Sequence, residues 1–324
     1  MVNDMIPLQS IEEFNNAENL DSLYPVLNRN QMTAGWYKKR PSLWPEPRTA
    51  YTPMLWSYQV GKTALDRAAL WMDTEMAERR NLLLFNRVED NDYDTVRSLV
   101  AAYQMVKPGE YARAHRHSPN ALRIVLEAAE GCYTIVDGVK LPMSPGDLLL
   151  TPGNAWHSHF NHGMQNSYWI DILDVPLVHR LEPMFVEHLP CGIQNVELEP
   201  QNHPFSFSLK NIRNELEKII PINGHRILEI NSSDILKTMT INYHQIFSKN
   251  QKKYKKNTAN RIFCILEGRG KILTSKNELN FCFGDVIAIP TWNDYTFSAA
   301  DDALIVEISD ERTMKMLGFY REEQ

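Results

Sequence analysis

Two His-x-His pairs are the residues best suited to chemistry: His115 with His117, and His157 with His159. Successive side chains of a β-strand point to opposite faces, so both imidazoles of a pair share one face if the pair lies in a strand. Neutral imidazole is the commonest side-chain ligand for metals. Two strands that bring these pairs together would therefore form a metal pocket of three or four histidines.

The sequence around the pairs predicts the strands that would position them. Leu122–Leu126 is an apolar run that contains one charge, Arg123, and Leu148–Thr151 is a second apolar run. Tyr133–Val136 is rich in β-forming residues and is followed by an Asp-Gly hairpin signal. The stretch with both histidine pairs is thus predicted to fold as β-hairpins within a small barrel.

Length and composition favour a globular protein of two domains. The 324 residues are 43% hydrophobic and carry a formal net charge of -6. No basic stripe is present, so nucleic acid is not an expected partner. No apolar run has the length of a membrane span, and the start does not resemble a signal peptide. Four scattered cysteines without CxxC spacing favour a reducing, cytoplasmic location.

A weak internal repeat relates the two halves of the chain. At offsets of 140 and 138 residues, the matching pairs are Leu126-Glu127 with Leu266-Glu267 and Gly146-Asp147 with Gly284-Asp285. Such a repeat suggests two copies of one barrel unit. The offsets place Lys255 opposite His115 and Tyr295 opposite His157. Because the histidines are lost, the second copy is expected to be structural and to bind no metal.

The remaining segments divide the chain into four parts. Residues 1–95 are interpreted as an arm rich in aromatic residues and proline, with an amphipathic helix over Thr63–Arg80. Residues 96–180 are expected to form the metal-binding barrel, residues 181–205 a linker, and residues 206–324 the second barrel. The sequence leaves open whether the arm folds onto its own chain or wraps over a neighbouring subunit.

The histidine motifs resemble those of the cupin superfamily. The residues that fit its two motifs are Gly109, His115 and His117, then Gly146, Pro152, His157 and Asn161. The glutamate that follows the first histidine pair in most cupins is absent, because Ala121 and Leu122 stand there. One branch shares this absence, namely the ring-cleaving dioxygenases of gentisate, salicylate and 1-hydroxy-2-naphthoate. Further stretches similar to that branch are Ala114–Arg123, Trp169–Pro176 and Glu78–Arg80.

The resemblance implies a mainly β, bicupin fold. It consists of two double-stranded β-helix (jelly-roll) barrels with a partly helical N-terminal arm, and it is usually assembled as a homotetramer. One Fe(II) would be held by His115, His117 and His157, although three histidines by spacing alone would equally suit zinc. Three neutral ligands would leave the iron its full double charge and open positions for an ortho-hydroxylated aromatic acid and O2.

The resemblance also implies roles for charged residues near the histidines. His159 would bind the substrate or oxygen and move protons, for which a pKa near neutrality is suited; the alternatives are a supporting residue or a fourth ligand. Arg123 would clamp the substrate carboxylate, and the alternative is an internal ion pair with Asp171. Asp171 would otherwise orient a histidine or Arg123. Arg79 or Arg80 would add a second cation at the substrate.

Two positions on the strand before the histidines complete the expected pocket. Gln104 would bind a ring hydroxyl or the oxygen, and the alternative is a hydrogen bond within the barrel. Ala102 stands where relatives carry glycine, so its methyl group would narrow the pocket.

These features predict Fe(II)- and O2-dependent, extradiol-type ring cleavage of gentisate (2,5-dihydroxybenzoate) to maleylpyruvate in aromatic catabolism. The first alternative keeps this chemistry and changes the substrate to salicylate or 1-hydroxy-2-naphthoate. The others are a non-catalytic cupin that binds an aromatic acid, and a zinc or nickel cupin that acts as an isomerase or hydrolase.

Overall fold

The structure is a computed structural model that describes residues 6–37, 43–77 and 79–324. The chain divides into two compact units, Met1–Pro47 and Arg48–Gln324. The first unit contains two helices, α1 (Ile6–Asn15) and α2 (Leu20–Arg29), which form the expected helical arm. Within the described residues, no helix is long and apolar enough to cross a membrane.

The second unit contains two sets of strands joined by connecting segments. In chain order, the first set and its helices are β1 (Met54–Trp56), α3 (Tyr58–Ala68), α4 (Thr74–Ala77), β2 (Arg80–Leu83), β3 (Val100–Val106), β4 (Tyr111–His117), β5 (Ala121–Glu127), β6 (Cys132–Val136), β7 (Val139–Pro142), β8 (Leu148–Thr151), β9 (His157–Asn161), β10 (Ser167–Leu173), α5 (Val175–Leu181) and β11 (Val186–His188). The second set is β12 (Ser206–Phe207), α6 (Leu209–Glu217), β13 (His225–Glu229), β14 (Thr240–Ile246), β15 (Gln251–Tyr254), β16 (Arg261–Glu267), β17 (Gly270–Thr274), β18 (Glu278–Phe281), β19 (Val286–Ile289), β20 (Tyr295–Ala299), β21 (Ala303–Ser309) and α7 (Glu311–Met316).

Each set forms a barrel of two antiparallel sheets, except that β1 joins the second barrel and β12 joins the first. The sheets of the first barrel have the strand orders β12-β8-β5-β10-β3-β2 and β11-β4-β9-β6-β7. Those of the second barrel are β1-β19-β16-β21-β14-β13 and β15-β20-β17-β18. The predicted mainly β fold of two barrels is therefore confirmed, whereas the predicted domain boundaries stay a prediction.

The hydrophobic core is divided by the alternation of side chains along the strands. On β5, Leu122 and Ile124 join one large cluster with Ile262 and Cys264 of β16, which packs the two barrels against each other. The alternate residues of the same strands face the inside of each barrel, and Arg123 is one of them. This explains why Arg123 stands in an apolar run. Both faces of β5 are buried, but only the face between the barrels is apolar throughout.

The two barrels exchange short strands. β1, which precedes the first barrel, pairs with β19 of the second, and Trp56 lies opposite Val286. β12, which precedes the second barrel, pairs with β8 of the first, and Phe207 lies opposite Leu148. Leu148 and Val286 are related by the offset of 138 residues found in the sequence, so the exchange is reciprocal.

The repeated Gly-Asp turns hold the exchanged segments in place. The Asp285 carboxylate accepts a hydrogen bond of 2.9 Å from the amide N–H of Tyr58, the first residue of α3. The Asp147 carboxylate accepts one of 3.0 Å from Leu209, the first residue of α6. A carboxylate at a helix start satisfies an otherwise unpaired N–H and complements the helix dipole. The repeat of this motif therefore marks a structural contact between the barrels.

The helix predicted over Thr63–Arg80 is wrong in its bounds. α3 begins at Tyr58 and ends at Ala68, and a separate short helix, α4, follows. The Asp73 side chain accepts hydrogen bonds from the amide N–H groups of Glu75 and Met76 and so starts α4. The Asp73 side chain replaces the backbone carbonyl groups that these N–H groups would bind in a continuous helix, so the helical segment is interrupted before α4.

Substitution of Gly284 tests the exchange. Gly284 has φ +80°, and an added Cβ would lie 2.4 Å from the ring of Tyr58. Tyr58 is fixed at its other end by a 2.7 Å hydrogen bond to Glu127, so it cannot move away. We expect Gly284→Ala to lower the free energy of unfolding by about 1–3 kcal/mol beyond the backbone cost, as overpacking does. Urea unfolding measures the loss.

The control for this change is Gly318→Ala. Gly318 has a similar φ of +72°, but no atom lies within 4 Å of its added Cβ. It therefore reports the cost of the backbone conformation alone. Equal losses of unfolding free energy in the two variants would contradict close packing of Tyr58 against the turn.

Candidate metal centre

Two adjacent strands carry the three predicted metal ligands. His115 and His117 lie on β4, and His157 on β9 lies directly opposite His115. A β-bulge between Ala112 and His115 shifts the register at this point. One ligand nitrogen from each histidine can be chosen so that all lie within 4.8 Å of one another. The structure thus brings the three residues together as a candidate metal site, with His115 and His157 buried and His117 partly buried.

Backbone carbonyl groups fix the tautomer of each of these imidazoles. The Nδ1 atoms of His115, His117 and His157 lie 3.0, 2.9 and 3.0 Å from the carbonyl oxygens of Arg113, Pro119 and Ala155. A carbonyl oxygen only accepts, so we assign the ring proton to Nδ1 in all three. The Nε2 lone pairs are then available to a metal, because a hydrogen bond from Nδ1 to a carbonyl oxygen fixes both the tautomer and the orientation of the ring.

The same three imidazoles are held neutral. Burial, followed by the positive charge of Arg79, lowers the pKa of His115 to about 4. Burial also lowers the pKa of His117, and the pKa of His157 lies well below its ordinary value because of burial and then the neighbouring His115 and His117. Protons therefore do not compete with a metal for these nitrogens near neutral pH.

Arg123 forms the internal ion pair that the sequence left as the alternative. Its Nε and Nη2 donate to the two carboxylate oxygens of Asp171, each at 2.8 Å. Its Nη1 donates to the hydroxyl of Thr134 at 2.9 Å, and the guanidinium lies 4.1 Å from the ring centre of Trp169. Both charges are buried, so the pair neutralises a cation that would otherwise be costly to bury.

His159 lies against this guanidinium, and its expected near-neutral pKa is wrong. Burial, followed by the charge of Arg123, places the pKa of His159 well below its ordinary value. Arg123 Nη1 lies 2.7 Å from Nδ1 of His159 and can only donate, so we assign the lone pair to Nδ1 and the proton to Nε2. The 3.1 Å approach of Nη2 to Nε2 then brings two N–H donors together and is not a hydrogen bond. His159 is therefore a buried imidazole without a positive charge.

Arg79 and Arg80, the two candidates for a second cation, lie in different surroundings. Arg79 Nε donates to the side-chain oxygen of Gln104 at 2.6 Å, and Trp169 Nε1 donates to the same oxygen at 3.2 Å. Arg80 is instead buried in a bidentate pair with Glu110, at 2.7 and 2.8 Å. Of the sequence signature Glu78–Arg80, Glu78 lies outside the described residues. Gln104 thus makes the barrel hydrogen bond expected as its alternative.

A cavity of about 430 Å³ opens onto the metal site. Its lining residues are Arg79, His115, His117, Pro119, Val175, His179, Met184, Phe185, Val186 and His188. Ala102 is buried and shares a face of β3 with Gln104, so its methyl group points into the barrel. His179 of α5 and His188 of β11 lie outside both histidine motifs, so the sequence pattern gives no signal for them. The pairing of β11 with β4 places His188 opposite His115.

The second barrel is filled where the first has its histidines. Tyr254 lies opposite Tyr295, as His115 lies opposite His157, and the two tyrosine rings stack with centroids 4.7 Å apart. The expected match of Lys255 with His115 is therefore wrong by one residue. The cause is the bulge of β4, which has no counterpart in the pairing of β15.

The second barrel also contains a buried arginine-carboxylate pair, but its arginine lies at another position of the strand. Glu307 lies opposite Phe263 of β16, as Asp171 lies opposite Arg123 of β5. Arg261 lies two residues before Phe263, and its Nε donates to Glu307 at 2.8 Å. Burial alone would raise the pKa of Glu307, but Arg261 and His244 outweigh it and lower that pKa to about 2. The arginine-carboxylate pair is thus common to both barrels, whereas the histidine cluster belongs to the first.

Comparison with known proteins places this architecture. Residues 102–173 match the cupin domain family. The gentisate 1,2 dioxygenase 1 of Aquipseudomonas alcaligenes is 28% identical over 92% of this chain and 94% of its own length. The gentisate 1,2-dioxygenase of a Ralstonia species is 43% identical over 50% of this chain and 45% of its own. A solved structure of the salicylate 1,2-dioxygenase from Pseudoaminobacter salicylatoxidans, an adduct with gentisate, has a TM-score of 0.85 at 22% identity, over 95% and 94% of the two chains.

By its fold, the chain is a bicupin that carries a three-histidine centre in its first barrel. Its curated relatives are named as gentisate 1,2-dioxygenases, in accord with the resemblance that the histidine motifs indicate. The structural likeness, at 22% identity, supports the fold.

Replacement of one ligand tests the metal centre. We expect His157→Ala to weaken binding of Fe(II) or Co(II) by more than about 100-fold, because loss of a ligand should exceed the 10–100-fold typical of supporting contacts. Competition with a chelator measures the affinity. The control is His162→Ala, which removes an exposed histidine just beyond the same strand. A His157→Ala variant with unchanged affinity would contradict the assignment.

The lowered pKa values predict how metal binding depends on pH. An imidazole of ordinary pKa near 6.5 would lose metal affinity below that pH, because protons would occupy the ligand nitrogen. Since the pKa of His115 lies at about 4 and those of its neighbours are also lowered, Co(II) affinity should stay constant from pH 7.5 to about 5. Titrations across this range measure it. A steady tenfold loss of Co(II) affinity per pH unit below 6.5 would contradict the lowered pKa values of the three histidines.

Proposed function

We propose that the protein is an Fe(II)- and O2-dependent ring-cleaving dioxygenase, and that gentisate is its substrate. The observation that carries this proposal is the convergence of three neutral histidines at a cavity that also holds Arg79. Relatives that match nearly the whole chain are named as 1,2-dioxygenases of gentisate and 5-aminosalicylate. Cleavage between the carboxyl-bearing and adjacent hydroxyl-bearing carbons would give maleylpyruvate.

The donor set fits a divalent iron. His115, His117 and His157 would hold it through Nε2, since their Nδ1 protons are engaged by backbone carbonyls. Imidazole ligands suit iron but also zinc and nickel, so the ligands alone do not identify the metal. We propose iron because the proposed reaction with O2 requires a redox-active metal. When bound, iron would supply the redox chemistry that lets O2 react with the aromatic ring.

Arg79 is the residue that we propose to bind the substrate carboxylate. It lines the cavity beside His115 and His117, whereas Arg123 lies buried inside the barrel. A guanidinium is suited to bidentate binding of a carboxylate. Arg123 would contribute less directly, by holding the lone pair of His159 Nδ1 and so keeping the proton on Nε2.

His159 would then act as a hydrogen-bond donor. Its Nε2–H would bind an oxygen of the substrate or the oxidant, and its low pKa keeps a positive charge away from the metal. Gln104, fixed by Arg79 and Trp169, would set the position of Arg79. Asp171 would keep Arg123 in place.

The apolar residues that line the cavity favour one second candidate. Val175, Met184, Phe185 and Val186 would accommodate a further aromatic ring. A relative from Nocardioides is named 1-hydroxy-2-naphthoate 1,2-dioxygenase and is 27% identical over 86% of this chain. A bicyclic hydroxy acid is therefore the second proposed substrate.

We further propose a cytoplasmic homotetramer. The resemblance to gentisate-type dioxygenases supports the assembly, and the four free cysteines accord with a reducing compartment.

Oxygen uptake tests the proposed reaction. Protein purified anaerobically and loaded with Fe(II) would be offered gentisate, salicylate and 1-hydroxy-2-naphthoate in parallel, with zinc-loaded protein as the control. We expect uptake with gentisate and none with zinc. Iron-loaded protein that consumes no oxygen with any of the three would refute the dioxygenase and favour a cupin that only binds aromatic acids.

The carboxylate partner is tested by Arg79→Gln. Loss of a charge-assisted hydrogen bond costs about 1.5–3 kcal/mol, so KM for gentisate should rise about 10- to 100-fold. Binding of catechol, which lacks the carboxylate, should change little. The matched control is Arg116→Gln, on the opposite face of β4 and paired with Glu187. If KM stays unchanged in Arg79→Gln and rises in Arg123→Ala, the carboxylate belongs to Arg123.

A further inference from the structure

The two barrels are joined by a pair of polar clasps that are related by the internal repeat. In the first clasp, Thr238 of the second barrel reaches Asp174, the residue that follows β10 of the first barrel. In the other, Ser98 of the first barrel reaches Asp310, the residue that follows β21 of the second. Each hydroxyl lies 2.5 Å from a carboxylate oxygen that is almost fully buried.

The first clasp fixes the loop after β4. The Asp174 carboxylate accepts hydrogen bonds from the amide N–H of Asn120 at 2.8 Å and from its side-chain Nδ2 at 3.0 Å. The same Nδ2 also donates to the hydroxyl of Thr238 at 3.0 Å. Asn120 follows His117 by three residues, so the loop that leaves the metal ligands is tied to the second barrel.

The same asparagine fixes the loop before β9. Its side-chain oxygen accepts a hydrogen bond of 2.9 Å from the amide N–H of Gly153, and Asn154 donates to the carbonyl of His117 at 2.8 Å. These two loops contain the carbonyl groups of Pro119 and Ala155. The clasp therefore supports the two carbonyl groups that hold the Nδ1 protons of His117 and His157.

We infer that Thr238 is a positioning residue for the metal centre of the opposite barrel. Its hydroxyl orients Asp174 and Asn120, and through them the carbonyl groups that turn the Nε2 lone pairs of His117 and His157 towards the metal. The second barrel thus contributes to a site that contains none of its own side chains. The inference rests on the proposed metal site and is independent of which aromatic acid is the substrate.

The other clasp provides a matched control inside the same chain. Asn260 donates to Asp310 through its amide and its side chain, each at 2.7 Å, and its side-chain oxygen accepts from Thr291 at 3.1 Å. This clasp ties together loops of the second barrel, where no candidate metal ligand cluster lies among the described residues. Its loss should disturb the contact between the barrels without touching the ligands.

The experiment compares Thr238→Val with Ser98→Ala. Both remove a hydroxyl from a buried carboxylate, so both should lower the urea midpoint of unfolding by similar amounts. Thr238→Val should weaken Co(II) binding about 10- to 100-fold, as loss of a supporting contact does, and Ser98→Ala by about twofold or less. Thr238→Ser should restore the affinity. In metal-free protein, amide hydrogen exchange at Asn120 and Gly153 should accelerate in Thr238→Val alone.

Each outcome separates this inference from the proposed function. Equal Co(II) affinities in Thr238→Val and Ser98→Ala, with a normal wild-type affinity, would overturn the positioning role alone. Unchanged exchange at Asn120 and Gly153 would overturn it as well, because that readout needs no metal. Absence of metal binding by the wild-type chain would instead overturn the metal site itself, and the inference with it.

Discussion

The structure depends on strands that are buried on both faces. In β5 and β16 one face packs between the barrels and the other lines a barrel interior. The face between the barrels is apolar in both strands and fixes their register, because a slip of one residue would exchange the two faces. Because the face between the barrels fixes the register, the residues on the interior face can differ between the two barrels. It carries Arg123 in one barrel and Arg261 in the other.

The two interiors show how the same backbone supports different contents. Both contain an arginine paired with a carboxylate, although the two arginines lie at different positions of their strands, and removal of one partner would leave an uncompensated buried charge. Replacement of an imidazole by an aromatic residue leaves no unpaired charge, and Tyr254 and Tyr295 fill the second barrel with a stacked ring pair. Each barrel thus balances its buried charge, and the histidine cluster belongs to the first.

Much of this organisation could be predicted from the sequence, because it lies in local patterns. The His-x-His pairs located the metal centre, and the repeat offset correctly related Leu148 to Val286. The identity of contacts between distant segments could not be predicted. The sequence around Arg123 does not show whether its partner is a carboxylate of the protein or of the substrate. The bulge of β4, which makes Tyr254 the counterpart of His115, also leaves no signal in the sequence. The low pKa of His159 likewise follows from burial against Arg123, which only the folded chain reveals.

The exchange of β1 and β12 has a consequence for synthesis of the chain. Tyr58 emerges early from the ribosome, but Asp285, which caps its helix, lies 227 residues further on. At about 5–20 residues per second, the early segment waits about 10 to 50 s for its partner. The first barrel is translated in the interval, before the strand that pairs with β1 exists. A late strand therefore completes the pairing of the first one, and a chain that ended before β19 would have an unpaired β1.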